Sequence, residues 1–326
     1  MDGWSHLLQG RLGIWAEQIF GKGYPPEEAV QLRGGAQKVV YQVRCSNGFR
    51  FILYIWDVRL NYFRQELERD EAKTVSGFGG LQFQTVNALL RKLHIRTPEL
   101  YHFEPGGLKG EADFAFVEYI EGKEASEFFH ADLAIQDQIF EPLSGMLNQM
   151  HQQTREHWGA LHEPVPQVQS GCHFPMLAEA YRQLEYLAEN LSEYRNHHDR
   201  FVQVIEALAA RIVERPYYSF IHAELGPNHV LVDNQLRPWL IDIDGALFFD
   251  PEYEHSFLEF RFDNYGRYLK HTHLDPHRMA FYKLYHHISY SAGPHRLLQR
   301  GFPEAELVKE IMAFNTQSAL RVIADY

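Results

Sequence analysis

The sequence is poor in cysteine. Cys45 and Cys172 are the only two in 326 residues, too few for a disulfide framework and suited to a reducing compartment. No apolar stretch approaches the roughly 20 residues that a membrane-spanning helix needs. The opening Met1-Asp2-Gly3-Trp4-Ser5-His6 lacks the basic start and apolar run of a secretion signal. A basic surplus is lacking as well: 31 Lys and Arg face 43 Asp and Glu, for a formal charge of −12. That balance argues against nucleic acid or an anionic membrane as a partner and suits a cationic small molecule, although the same acidity also serves solubility. Apolar and aromatic residues, in contrast, are plentiful. Hydrophobic residues make up 45% of the chain, with 23 Phe and 18 Tyr, which supports a sizeable core and argues against disorder. The length exceeds one ordinary domain of about 100–200 residues, so two lobes are expected in a folded, cytoplasmic protein.

The first third reads as strands and turns. Gly34-Gly35 is followed by β-branched and aromatic runs at 39–43 and 50–56, and Ser46-Asn47-Gly48 between them is a hairpin turn signal, because Asn-Gly tolerates positive φ. Residues 61–73 are heavily charged and read as a solvated helix or insertion. Val86, Leu89, Leu90 and Leu93 recur at helical spacing before a stop at Thr97-Pro98, and 114–120 is a third apolar strand ending at Glu121-Gly122. Beyond Gly122 the period turns helical, over 135–150, 177–191, 202–213, 279–288 and 307–322. One β-rich island interrupts the helices, with short strands at 217–221, 230–232 and 239–243.

That island carries the chemistry. It reads His222-Ala223-Glu224-Leu225-Gly226-Pro227-Asn228-His229, then Leu240-Ile241-Asp242-Ile243-Asp244-Gly245, then Asp250-Pro251. It resembles the aminoglycoside phosphotransferase family, where the first stretch usually reads His-Gly-Asp-Leu-His-Pro-Gly-Asn, the second Ile-Asp-Trp-Glu or Ile-Asp-Phe-Gly, and the third Gly-Asp-Pro. The spacing agrees too. His229 and Asp242 lie five and eighteen residues beyond Glu224, as the family's two metal ligands lie beyond its catalytic acid.

The resemblance spans nearly the whole chain and implies an α+β, protein-kinase-like fold. Residues 1–120 would form a small β-rich nucleotide-binding lobe, and 121–326 a larger, mostly helical lobe with the catalytic loop and acceptor site. It also implies phosphoryl transfer from ATP or GTP, with Mg²⁺ or Mn²⁺, to a hydroxyl of a small molecule, a reaction that depends on positioning and charge neutralisation. On that reading Glu224 is the catalytic base, carrying one methylene more than the family's Asp. Asp242 is the principal metal ligand, with His229 and Asp244 as further ones, and Asn228 is a second source for His229's role. Gly34 and Gly35 cover the phosphates, Glu118 and Ile120 at the hinge-like strand end help bind the nucleotide, and Glu252 and Glu254 form an acidic wall for the acceptor. His222 is expected to pack the loop, and Asp250 to cap the following helix or brace the loop. Each has a plainer reading as a solvated or structural side chain.

The largest departure is in the first lobe. The family's phosphate-binding Lys should lie on strand 50–56, where Tyr54 stands, and its acidic helix partner should fall near 85–87, where no carboxylate occurs. Losing both is physically consistent, because losing one alone strands a buried charge at about 3–5 kcal/mol. Lys38, on the adjacent strand and sharing a face with Val40, is the candidate replacement cation, with Arg33 a second. These departures also support an alternative: a catalytically impaired, kinase-like protein that binds nucleotide or a small ligand as a sensor or interaction module. A protein kinase fits less well, since no Asp-Phe-Gly and Ala-Pro-Glu pair brackets an activation loop. His271, His273, His277, His286 and His287 lack the spacing of a zinc site.

Overall fold

The computed structural model describes residues 3–32, 35–68, 79–106, 112–162, 170–271 and 273–326. After helix α1 (Gly3–Phe20) the chain enters β1 (Pro26–Gln31), β2 (Val39–Cys45) and β3 (Arg50–Trp56), then the short α2 (Arg64–Glu68) and α3 (Gly80–Lys92), then β4 (Leu100–Glu104) and β5 (Asp113–Glu118). The strands form one antiparallel sheet in the order β1-β2-β3-β5-β4. The Asn47-Gly48 turn joins β2 to β3, with Gly48 at φ 84° and the Asn47 side-chain Oδ1 accepting from the Phe49 N–H at 2.9 Å.

Period-two alternation divides this sheet between two cores. Phe51, Leu53 and Ile55 of β3 face outward and pack with Tyr41, Val43 and Phe116 beneath Leu12, Trp15, Ile19 and Phe20 of α1. Ile52, Tyr54 and Trp56 face inward and pack with Phe83, Val86 and Leu90 of α3. Because both faces are covered, β3 reads as an unbroken apolar run rather than an alternating one.

The inner core continues without a break into the helical part, through Phe140, Leu143 and Leu147 of α4 (Leu133–His151) and through Leu225, Val230, Leu240 and Ile243. Before α4 the chain forms β6 (Gly122–Glu124); after it come the two-residue strands β7 (Thr154–Arg155) and β8 (Gly159–Ala160). Helices α5 (His173–Asn190) and α6 (Ser192–Ala209) follow, then β9 (Tyr218–Ile221), β10 (Val230–Asp233), β11 (Pro238–Leu240) and β12 (Leu247–Phe249). The chain ends in α7 (Pro251–Arg261), α8 (Tyr265–Tyr268), α9 (Pro276–Gln299) and α10 (Ala305–Asp325). Helices α5, α6, α9 and α10 share a second core around Tyr194, Phe201, Phe281 and Tyr282. The result is the α+β arrangement that the sequence led one to expect, an antiparallel sheet followed by a helical body. No helix among the described residues is long and apolar enough to cross a membrane.

Candidate active site

The elements that carry the candidate residues are positioned by two antiparallel pairings. In the β10–β11 hairpin Val230 lies opposite Leu240, and one step further the Ile241 N–H donates to the His229 carbonyl at 3.0 Å. The hairpin register therefore sets His229 beside Asp242, although thirteen residues separate them in sequence. Pairing of β9 with β12, Ile221 opposite Leu247, brings the turn after β9 against the turn before β12. Glu224 lies in the first turn and Asp244 in the second. A Cβ built on Gly245 would meet Glu224 Cγ at 3.9 Å, so the Glu224 side chain lies directly against the Asp242–Asp244 turn.

Two backbone conformations here are unusual for residues with side chains: Ala223 has φ 73° and Asp242 φ 56°. Left-handed geometry of this kind costs about 1–3 kcal/mol and persists where the surroundings impose it. At Ala223 the surroundings are a buried carboxylate. Glu254 Oε1 accepts from the His222 N–H at 2.9 Å and the Ala223 N–H at 3.1 Å, while Glu254 Oε2 faces His151 Nε2 at 2.6 Å. Glu252 is likewise interior, pairing with Arg215 at 2.9 Å and accepting from the Asp275 N–H at 2.9 Å. The expected acidic acceptor wall is thus not what these two glutamates make: they brace the loop from behind, at 1% and 0% exposure.

Asp250 also works as a brace. It opens α7 without a side-chain cap bond and instead holds Arg278 at 2.8 Å, Arg215 at 3.2 Å and the Tyr282 hydroxyl at 2.7 Å. His222 Nε2 donates to the Ile241 carbonyl at 3.0 Å, and burial lowers its pKa, keeping it neutral as a loop-packing residue. His286 and His287 are buried partners of the Tyr253 carbonyl and the Asn315 side chain, at 2.8 and 2.9 Å.

At the centre of these residues is Lys38. Its ammonium lies between two carboxylates, bonded to Asp242 Oδ1 and, at 2.5 Å, to Asp244 Oδ1, with only 8% of the residue exposed. Desolvation works to lower its pKa, but Asp242 and Asp244 hold it well above its usual range. The aromatic floor is Tyr54 and Trp56, whose ring centroids lie 5.1 and 5.8 Å from the Lys38 nitrogen. The reach follows from strand register. Val40 lies opposite Tyr54 and Val39 opposite Ile55, so Lys38 falls across from Trp56 on the face that looks into the cleft.

The other acceptors of these carboxylates are also engaged. Trp56 Nε1 donates to Asp244 Oδ2 at 3.1 Å, and His229 Nε2 faces Asp242 Oδ2 at 3.2 Å while its Nδ1 donates to the Glu224 carbonyl at 2.6 Å. Asn228 turns away, its Oδ1 accepting from Arg261 at 3.0 Å. Desolvation opposes ionisation of Asp242, yet Lys38 and His229 depress its pKa far below the usual range. Glu224 is shifted the other way: burial, then the charge of Asp242, raise its carboxyl above the ordinary 4.5.

Asp242, His229 and Asp244 therefore do come together, but around a lysine. Among the described residues no group of three or more His, Cys, Asp or Glu side chains is arranged to hold a metal ion, and the two carboxylates best suited to one are closed on an ammonium. As they stand, these residues do not fit a resident divalent cation.

Of the expected nucleotide contacts, Gly35 lies where the chain folds back over Lys38, and a Cβ there would run into the Lys38 carbonyl oxygen. Gly34 and Arg33 lie outside the described residues. Glu118 ends β5 with its carboxylate accepting from the Glu99 N–H at 3.0 Å, and Ile120 is buried just beyond. In place of the family's charge pair between β3 and α3, whose loss the sequence shows, stands an aromatic one. Phe83 lies 5.4 Å from both Tyr54 and Trp56, and burial pushes the Tyr54 hydroxyl up to about 12, leaving a neutral ring. Trp56 was not anticipated as a site residue, and Glu254 was anticipated for the acceptor wall rather than as the clamp on the His222–Ala223 backbone. The signal for Trp56 was its period-two relation to Tyr54; a clamping glutamate inside a helix has no such signal.

Residues 28–280 match the phosphotransferase enzyme family. No curated protein sequence matches the chain. Among solved structures it is similar to the choline kinase LicA from Streptococcus pneumoniae, at TM-score 0.64 and 14% identity over 98% of this chain and 100% of that one. It is also similar to a thermostable mutant of the aminoglycoside phosphotransferase APH(4)-Ia in ternary complex with AMP-PNP and hygromycin B, at TM-score 0.62 and 14% identity over 96% and 98% of the two chains. A GDP and kanamycin complex of APH(2")-IIia gives TM-score 0.62 and 13% identity over 95% and 99%. Likeness at these identities is a likeness of fold.

Proposed function

The chain belongs to the phosphotransferase enzyme family, and on that premise we propose that it transfers the terminal phosphoryl group of ATP or GTP to a hydroxyl of a small molecule. The observation that carries this reading is the meeting of a carboxylate, Glu224, packed against the Asp242–Asp244 turn, with a buried cation, Lys38, held on that same turn and beside Gly35. The two supply complementary needs of the reaction. As the acceptor oxygen forms its bond to phosphorus, its proton passes to the Glu224 carboxylate, and the bond to the departing nucleoside diphosphate breaks. Lys38 is the cation within reach of the phosphates whose charge grows in that step.

Structures similar to this one carry AMP-PNP or GDP, which supports a nucleotide donor without choosing its base. The acceptor is a small hydroxylated molecule, and a net charge of −12 favours a cationic one. No role for nucleic acid or membrane enters the proposal. The alternative, a nucleotide-binding protein impaired in catalysis, is favoured by one observation, the ammonium lodged between Asp242 and Asp244.

The deciding experiment measures transfer from terminally labelled ATP and GTP to a panel of hydroxylated acceptors, with nucleotide affinity followed in parallel. The parent protein should transfer label to water or to an acceptor. Glu224→Gln should bind nucleotide within about threefold of the parent while its turnover falls by about 10²-fold or more, as for a group acting mainly on the chemical step. Binding without turnover in the parent would establish the impaired reading, and absence of nucleotide binding would end both.

A further inference from the structure

The Lys38 ammonium occupies the position between Asp242 and Asp244 that a divalent cation would need. Three of the four carboxylate oxygens accept hydrogen bonds, Asp242 Oδ1 and Asp244 Oδ1 from Lys38 and Asp244 Oδ2 from the Trp56 indole at 3.1 Å, and the fourth, Asp242 Oδ2, lies 3.2 Å from His229 Nε2. A metal ion entering this arrangement would meet a positive charge at the centre and no oxygen free of a nitrogen partner, and at such separations in a partly dry cleft like-charge repulsion is large. Removing the ammonium reverses the situation. Two carboxylates, hard oxygen donors suited to a small divalent ion, would then face each other around an empty centre with the His229 imidazole nitrogen adjacent.

Lys38 also has somewhere else to go. It directly follows the turn containing Gly35, whose backbone is so close to the Lys38 carbonyl that no side chain fits there, so lysine and phosphate-covering turn are mechanically one piece. A polyphosphate beneath that turn offers the ammonium several negative oxygens within the sweep of its four-carbon stem.

We propose that Lys38 and a divalent cation are mutually exclusive occupants of the Asp242–Asp244 pair, so that the nucleotide-free protein excludes metal and the metal is admitted only when a polyphosphate draws Lys38 away. This rests on the cleft being a nucleotide site. It assigns Lys38 two alternating duties, internal counter-ion in the empty protein and phosphate ligand in the filled one.

The test is Mn²⁺ binding read from the loss of the free-ion paramagnetic resonance signal, independent of turnover. In the parent protein without nucleotide, Mn²⁺ affinity should be at least about tenfold weaker than in Lys38→Met, and the affinity gained by Lys38→Met should vanish in Lys38→Met/Asp242→Asn. Lys38→Gln provides a second variant should the Met protein fail to fold, and the parent alone gives a further readout: the non-hydrolysable triphosphate AMP-PNP should bring Mn²⁺ into it, beyond what the free nucleotide binds. Equal Mn²⁺ affinity in parent and Lys38 variants without nucleotide, whether both bind or neither does, overturns the proposal. So does Mn²⁺ binding to the empty parent that AMP-PNP leaves unchanged while the nucleotide itself binds. Should AMP-PNP bind to none of the proteins, the phosphotransferase reading fails and the second duty of Lys38 fails with it, but displacement of metal by Lys38 is still decided by the nucleotide-free comparison.

Discussion

Desolvation and the negative Asp242 both disfavour the Glu224 carboxylate, and both raise its pKa above 4.5. A base must be ionised to accept a proton, so activity should be lost as pH falls through that raised value and be complete above it. The acid limb of kcat/KM should therefore lie above the ordinary glutamate range of about 4.3–4.5, and a limb within that range would take the role of base from Glu224. The register of this residue was legible, because the five- and eighteen-residue spacings to His229 and Asp242 are properties of the chain itself. The fates of Glu252 and Glu254 were not. On α7 they read as polar residues of an exposed face, and only the tertiary fold reveals that their oxygens face Arg215 and the N–H groups of His222 and Ala223.

At the level of strands and helices, the cleft differs from a charge-paired design in being built on rings. Tyr54, Trp56 and Phe83 form a contiguous cluster with centroids 5.4–5.7 Å apart, and Lys38 lies over it. Restoring lysine at position 54 would place an unpaired ammonium in that cluster beside Lys38. Tyr54→Lys should therefore destabilise the protein by about 3–5 kcal/mol in urea unfolding, the scale of a stranded buried charge, and adding Phe83→Glu should recover part of the loss. Full stability of Tyr54→Lys alone would mean the cluster is wetter and looser than described. The absence of the lysine from β3 and of a carboxylate from 85–87 was visible in sequence, as was the placement of Lys38, through the Asn47-Gly48 turn and the two-residue period. What the period did not reveal was how far the ammonium reaches. Strand β1 escaped notice because all but its first residue is exposed, and α1 because Gly10 and Gly13 interrupt its pattern; the strand read at 239–243 stops at Leu240 because Asp242 turns left-handed.

Taken as a whole, the molecule is an antiparallel sheet and a helical body sharing one continuous apolar core through Tyr54, Phe83, Leu225 and Ile243. Sequence period found most of the helices and the sheet's central strands; the long-range pairings of β6 with β10 and of β9 with β12 had to come from the fold, since two- to four-residue strands have too little period to read. A whole-molecule property, the approach of Lys38 from the first sheet to Asp242 in the second half of the chain, is what makes this a candidate nucleotide cleft. Its most direct test is calorimetric titration of parent and Lys38→Ala with ATP and with adenosine. Replacing a hydrogen bond to a charged group should weaken ATP binding by about 1.5–3 kcal/mol and leave adenosine nearly unchanged, because only the triphosphate calls on the lysine. If Lys38→Ala binds ATP as tightly as the parent does, Lys38 is not the phosphate cation and the account of this cleft is contradicted.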